Sequence, residues 1–279
     1  MPPKLKEFIR DWLPPTLLRA MRGRGIPGLP RGIEFTGDYA SWQDASSHAG
    51  SYAESHILEK SRDALLKVVK GEAACERDTV VFDHVEYSYP LLANLLHVAS
   101  LNDNRLGVLD FGGALGSSYY QNRAYLSHLA KLRWSVVEQL HFVQCGRQYF
   151  ATESLHFHES AEEAVRKEGQ PDVLLLSSVL QYLEDSAEML RRLLDLRIKT
   201  IIVDRAPVLF NAPTRLTVQV VPPSIYPASY PCRLYNERDF IGLFEQKYKL
   251  MDQFDATIGS TITLDGAAGR YRGYLFNLR

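Results

Sequence analysis

Asp110 closes the apolar run Leu106-Gly-Val-Leu-Asp110, and Gly112, Gly113 and Gly116 then fall within five residues, before Ser117 and Ser118 open a segment of helical character. This order reads as strand, tight turn and helix start. Glycines let a backbone approach a ligand closely, and a helix start presents unpaired N–H groups to polar or anionic groups. A second acid stands at the end of the next apolar segment, Trp134-Ser-Val-Val-Glu-Gln139. Glu138 follows Gly116 by 22 residues, close to the separation at which a nucleotide-binding unit sets a carboxylate on ribose hydroxyls. Gln139 and Leu140 then stand beside it, where an adenine would lie.

Spacing separates two readings of the turn. The dinucleotide fingerprint would place its glycines at Gly112, Ala114 and Ser117, two of which are not glycine, and would set a pyrophosphate against Asp110. The stretch instead resembles the first motif of class I S-adenosylmethionine-dependent methyltransferases, an acid followed by small residues two, four and six positions on: Asp110, Gly112, Ala114 and Gly116. A sulfonium cofactor carrying an amino group suits a carboxylate in a partly closed cleft. Pro171 to Asp185 strengthens the resemblance, because a wholly apolar strand, Val173 to Leu176, empties into Ser177 and Ser178 and then Gln181-Tyr182. In that family a small polar residue here and the aromatic after it border the methyl donor, which implies roles for Ser178 and Tyr182. The resemblance also implies Ser160, after Glu159, at the adenine edge. With the aromatic residues Phe35 to Tyr39, Trp42 and Tyr52, the whole chain resembles a bacterial group of such methyltransferases often encoded near cell-surface polysaccharide genes. The implied function is methyl transfer from S-adenosylmethionine to a small-molecule or glycan acceptor, with a hydroxyl as the expected target.

Positioning supplies much of the rate of such a transfer, and a hydroxyl acceptor benefits in addition from a base. His84 and Asp204 are the candidate bases, with Tyr182 or Arg205 orienting the acceptor. The histidine common in the family before the aromatic is Gln181 here. Two other classes compete: a cofactor-binding module without turnover recruited to a glycan-assembly complex, and a nicotinamide-dependent oxidoreductase. His156 and His158 share a strand face, but the sequence offers them no third partner at ligand spacing, so no metal is expected.

Strands alternate with helices from residue 106 to Asp204, which predicts an α/β fold with a doubly wound, mostly parallel sheet. Tyr248 to Phe254 and Tyr271 to Leu278 read as a terminal hairpin, and the resemblance makes the last strand antiparallel. Residues 206–235 carry six prolines and are expected as a long loop over the cleft or an unstructured insertion. The chain then divides into residues 1–31, a basic amphipathic segment with a linker; 32–104, a helical cap; and 105–279, the Rossmann-like domain. Seven basic residues against two acidic in the first segment fit either a peripheral membrane contact or a helix docked on protein.

The 279 residues hold 32 basic and 33 acidic side chains, so no overall field recruits nucleic acid. The three cysteines are scattered and read as free thiols. Without a membrane-length apolar run or a signal-peptide pattern, the expected location is the cytoplasm, with membrane association left open through residues 1–31.

Overall fold

The computed structural model describes residues 33–50, 54–77, 79–222, 228–256 and 261–279. The expected basic helix of residues 1–31, Tyr52 in the aromatic cap, and Pro223, Tyr226 and Pro227 of the proline-rich stretch lie outside the described residues. In chain order the elements are β1 (Glu34–Thr36), α1 (Trp42–His48), α2 (Glu54–Val69), β2 (Cys75–Arg77), β3 (Val80–Phe82), α3 (Tyr89–Ser100), β4 (Arg105–Phe111) and α4 (Ser117–Leu126). There follow β5 (Lys131–Val137), α5 (Leu140–Tyr149), β6 (Leu155–His158), α6 (Ala161–Glu168), β7 (Val173–Ser177), a 3-10 turn (Leu180–Tyr182) and α7 (Ser186–Asp195). The chain ends with β8 (Thr200–Phe210), β9 (Arg215–Val221), β10 (Ala228–Asn236), α8 (Glu237–Gly242), β11 (Tyr248–Asp255), β12 (Thr261–Leu264) and β13 (Ala267–Leu278).

The sheet is doubly wound, as the alternation of elements predicts. Its parallel part runs β6, β5, β4, β7, β8, and β13 then enters antiparallel between β8 and β11. Side chains of the central strands alternate between two apolar layers, which is why these strands read as continuous apolar runs. Val173, Leu175 and Ile202 face the layer of α3, α4 and α5, whereas Leu174, Leu176, Ile201 and Val203 face that of α6, α7 and α8. All five residues of β7 are buried. The chain order reverses between β4 and β7, and ligands of open α/β sheets bind beyond the strand C-termini at such a point.

The proline-rich stretch departs from the expected loop. Strand β8 continues past Asp204 to Phe210, and β9 and β10 form an antiparallel ribbon to which β1 adds a further strand. The prolines are tolerated because the ladder does not need their missing N–H groups. Pro207 lies after the pairing with β7 ends at Asp204 and before that with β10 begins at Val208; Pro231 lies in the part of β10 that pairs with β9 alone. At the junction Arg205 adopts a φ of 57°, and β8 bulges there, Asp204 and Arg205 together facing Gly273 of β13 between the pairs Val203–Tyr274 and Ala206–Arg272. A Cβ on Gly273 would stand 2.0 Å from the Phe254 ring. The ribbon has its own apolar cluster, including Leu209, Cys232, Leu234, Ile262 and Tyr271.

The segment expected as a helical cap holds α1, α2 and α3 but also three short strands. Strand β1 joins the ribbon, and among the described residues β2 pairs only with β3. Cys75, Cys145 and Cys232 are all buried, and none forms a disulfide among the described residues. No helix among the described residues is long and apolar enough to cross a membrane.

Candidate functional site

A cavity of about 1000 Å³ opens beyond the C-terminal ends of β4 and β7, walled by the glycine turn, the hairpin β2–β3, α1 and the β9–β10 ribbon. Asp110, Gly112, Gly113, Gln139, Ser178 and Tyr182 all line it. Asp110 is fully buried. Its Oδ2 accepts a hydrogen bond from the Trp134 indole N–H at 2.9 Å, while Oδ1 has no hydrogen-bond partner. An orphaned carboxylate oxygen on a cavity wall is a costly arrangement for an ion, and a cationic ligand would relieve it. Burial, with the nearby Glu138 charge adding to it, pushes the Asp110 carboxyl up to about 7, against the lowering effects of Trp134 and Arg205.

The turn is shaped around this carboxylate. A Cβ on Gly113 would stand 2.6 Å from the carboxyl carbon of Asp110, and one on Gly112, at φ 73°, would stand 2.3 Å from Val179. Gly116, at φ 93°, occupies the N-cap position of α4. Ala114 takes a φ of 50°, a conformation that costs a non-glycine residue about 1 kcal/mol. Its N–H donates to Glu138 Oε1 at 3.3 Å, and the Gln139 N–H donates to Oε2 at 2.9 Å. Glu138 is therefore set against the turn; its pKa is raised, chiefly by burial.

Beyond β7, Ser178 adopts φ 54° and accepts from the Gln181 amide at 2.9 Å. Asp204 is buried behind this rim and does not itself line the cavity. It accepts from Ser177 Oγ at 3.2 Å and Ser88 Oγ at 3.5 Å and pairs with Arg205 at 3.4 Å, and burial raises its pKa. Its reach into the cavity is indirect, through Ser177 and Arg205, both of which line the wall. The structure does not bring His84 to this site. That ring is two-thirds exposed and bonds to Asp83 at 2.6 Å, which raises its pKa. Leu140 is half-exposed beside Gln139, and Ser160 caps α6 through the Glu163 N–H; neither lines the cavity.

Gln219, Tyr230 and Glu76 are among the wall residues that the sequence does not single out. Tyr182 donates to Gln219 Oε1 at 3.1 Å, and Gln219 Nε2 donates to the Tyr230 hydroxyl at 3.2 Å, with the two tyrosine rings edge to face. Gln219 and Tyr230 come from strands hidden by the prolines around them. Glu76, on β2, accepts from Ser117 Oγ at 2.6 Å and the Thr79 N–H at 3.0 Å; no spacing in the sequence connects it to the turn.

No protein-family model matches the sequence, and no curated protein matches it either. Among solved structures, the chain is similar to magnesium protoporphyrin IX methyltransferase from Synechocystis with bound S-adenosylmethionine, at 14% identity and a TM-score of 0.41 over 98% of this chain and 97% of that one. It is also similar to a methyltransferase from Streptomyces caelestis, at 13% identity and 0.45 over 67% and 88%. An S-adenosylmethionine-dependent methyltransferase from Clostridium acetobutylicum aligns at 11% identity and 0.44 over 69% and 93%.

The Asp110 carboxyl carries a pH signature. Its proton is held in the folded chain up to about pH 7 but is lost near pH 4 once unfolded. The folded state binds more protons in that window, so the contribution to stability falls as pH rises through it, by at most about 4 kcal/mol. Thermal melts are expected to show Asp110→Asn gaining on the wild type between pH 5 and pH 8. A difference in Tm that stays constant, or that moves in favour of the wild type as pH rises, would contradict the buried, proton-holding carboxyl.

Proposed function

We propose that the protein is an S-adenosylmethionine-dependent methyltransferase acting on a hydroxyl of a small-molecule or glycan acceptor. The observation that carries this reading is the orphaned, buried Asp110 oxygen at the glycine turn, at the point where strand order reverses in a sheet whose final strand is antiparallel. Asp110 would hold the ammonium group of the cofactor, Glu138 its ribose hydroxyls, and Gln139 with His141 and Phe142 its adenine. When bound, the cofactor supplies an electrophilic methyl group on a sulfonium. At the other end of the cavity Trp42, Tyr182, Gln219, Tyr230 and Tyr271 combine aromatic faces with an amide, which suits a hydroxylated ring. Tyr182, Gln219 and Tyr230 orient the acceptor. Arg205 and Ser177, both in contact with Asp204, offer the polar rim at which its hydroxyl is set.

Calorimetric titration of S-adenosylhomocysteine, with assay of its release against a panel of sugar and phenol acceptors, tests the reading. Micromolar binding and turnover on a hydroxyl acceptor are expected. Absence of binding, or tight binding of a reduced nicotinamide cofactor in its place, would overturn it. Tyr182→Phe deletes the hydroxyl that holds Gln219, and its acceptor kcat/KM is expected to fall roughly tenfold, the effect of one lost hydrogen bond. S-adenosylhomocysteine affinity should change less than twofold, and an equal loss in both would place Tyr182 on the cofactor instead.

A further inference from the structure

On the outer face of the edge strand β6, His156 and His158 stand side by side and meet Glu168 from the last turn of α6. The ligand atoms of the three residues all lie within 4.8 Å of one another. His156 Nδ1 is 2.9 Å from Glu168 Oε2, and His158 Nε2 is 3.6 Å from Oε1. The first contact lacks the alignment of a hydrogen bond and the second is too long for one, and both ring nitrogens of His158 lack a hydrogen-bond partner although the residue is only 3% exposed. Buried imidazole nitrogens left unsatisfied beside a carboxylate are costly, and a cation held between the three side chains would satisfy them.

We propose that His156, His158 and Glu168 bind a divalent transition-metal ion, Zn²⁺ by donor chemistry, at a site separate from the cofactor cavity. Two imidazoles and one carboxylate form a known zinc donor set, with distances of about 2.0–2.2 Å and a fourth position left to water. Around the cluster, Lys167 and Arg147 are both drawn toward Glu163, at 2.7 and 3.6 Å. The ion would pin the end of α6 to β6, whose His158 carbonyl accepts the Glu138 N–H at 3.1 Å. The site therefore adjoins the strand end that sets Glu138.

The test uses untagged full-length protein stripped with a chelator, then titrated with ZnCl₂ by calorimetry and with CoCl₂ by visible absorption. One equivalent of Zn²⁺ binding at micromolar concentration or below is expected, with Co²⁺ giving the visible bands of a low-coordinate site. Glu168→Gln and His156→Gln, both at partly exposed positions, are each expected to weaken binding at least tenfold while keeping the far-ultraviolet spectrum. Saturating Zn²⁺ should raise the Tm of the wild type by several degrees and leave that of the folded variants unchanged. Absence of stoichiometric Zn²⁺ binding up to about 1 mM (about −4.1 kcal/mol) would overturn the proposal. Binding undiminished in whichever of the two variants folds would overturn it equally, since the ion would then sit elsewhere.

Discussion

Asp110→Ala and Glu138→Ala are each expected to weaken S-adenosylhomocysteine binding by roughly thirty- to a hundredfold. A hydrogen bond to a charged group contributes about 1.5–3 kcal/mol, and at 1.4 kcal/mol per factor of ten the upper part of that range gives this loss. Asp110 belongs at that end because its free Oδ1 lies in a buried wall where water does not screen the ligand charge. Proton release should accompany binding to the wild type below pH 7, since a cation favours the ionised carboxylate, and should be smaller in Asp110→Ala. Calorimetry at pH 6.5 in two buffers of different ionisation enthalpy reads both quantities. If affinity in both variants stays within threefold of the wild type, the glycine turn is not the cofactor seat.

Trp134→Ala is expected to cost about 4–5 kcal/mol of stability, at the upper end for a fully buried large side chain. Trp134 is wholly buried between Tyr119 and the body of the sheet, and it is the donor to Asp110. Its removal opens a cavity and leaves both carboxylate oxygens unsatisfied, two losses that fall on one strand. Urea unfolding monitored by far-ultraviolet circular dichroism measures the total, and Trp134→Phe separates the parts by keeping much of the volume while deleting the N–H. A loss under about 2 kcal/mol for Trp134→Ala would mean that the site collapses around the gap more readily than the packing indicates.

The parallel sheet and the glycine turn were legible because burial on both faces writes an unbroken apolar run, as in Val173 to Leu176, and because Asp110 and Glu138 each end such a run. The ribbon was not legible. Pro207 and Pro231 mark a loop in most contexts, and only the three-dimensional pairing reveals that their absent N–H groups are not needed. Glu76 and Glu168 escaped for a related reason: each meets its partners across a strand–helix junction, so the distance that matters is not a sequence interval. His84 drew attention through the aromatic and acidic residues around it, yet those neighbours hold it at the surface.

Strands β8 and β13 each run from the parallel sheet, where β8 pairs with β7, to the ribbon, whose apolar cluster takes in Leu209 and Tyr271. Sheet and ribbon therefore share two strands, and the absence of a side chain at Gly273 lets the Phe254 ring lie against β13 opposite the bulge of β8. Widening the cavity at the ribbon would therefore shift Asp204 on β8 and with it the end of β7 that carries Ser177 and Ser178. The hairpin β2–β3 is framed differently: among the described residues no strand of the main sheet pairs with it, and Glu76 ties it to the glycine turn through Ser117.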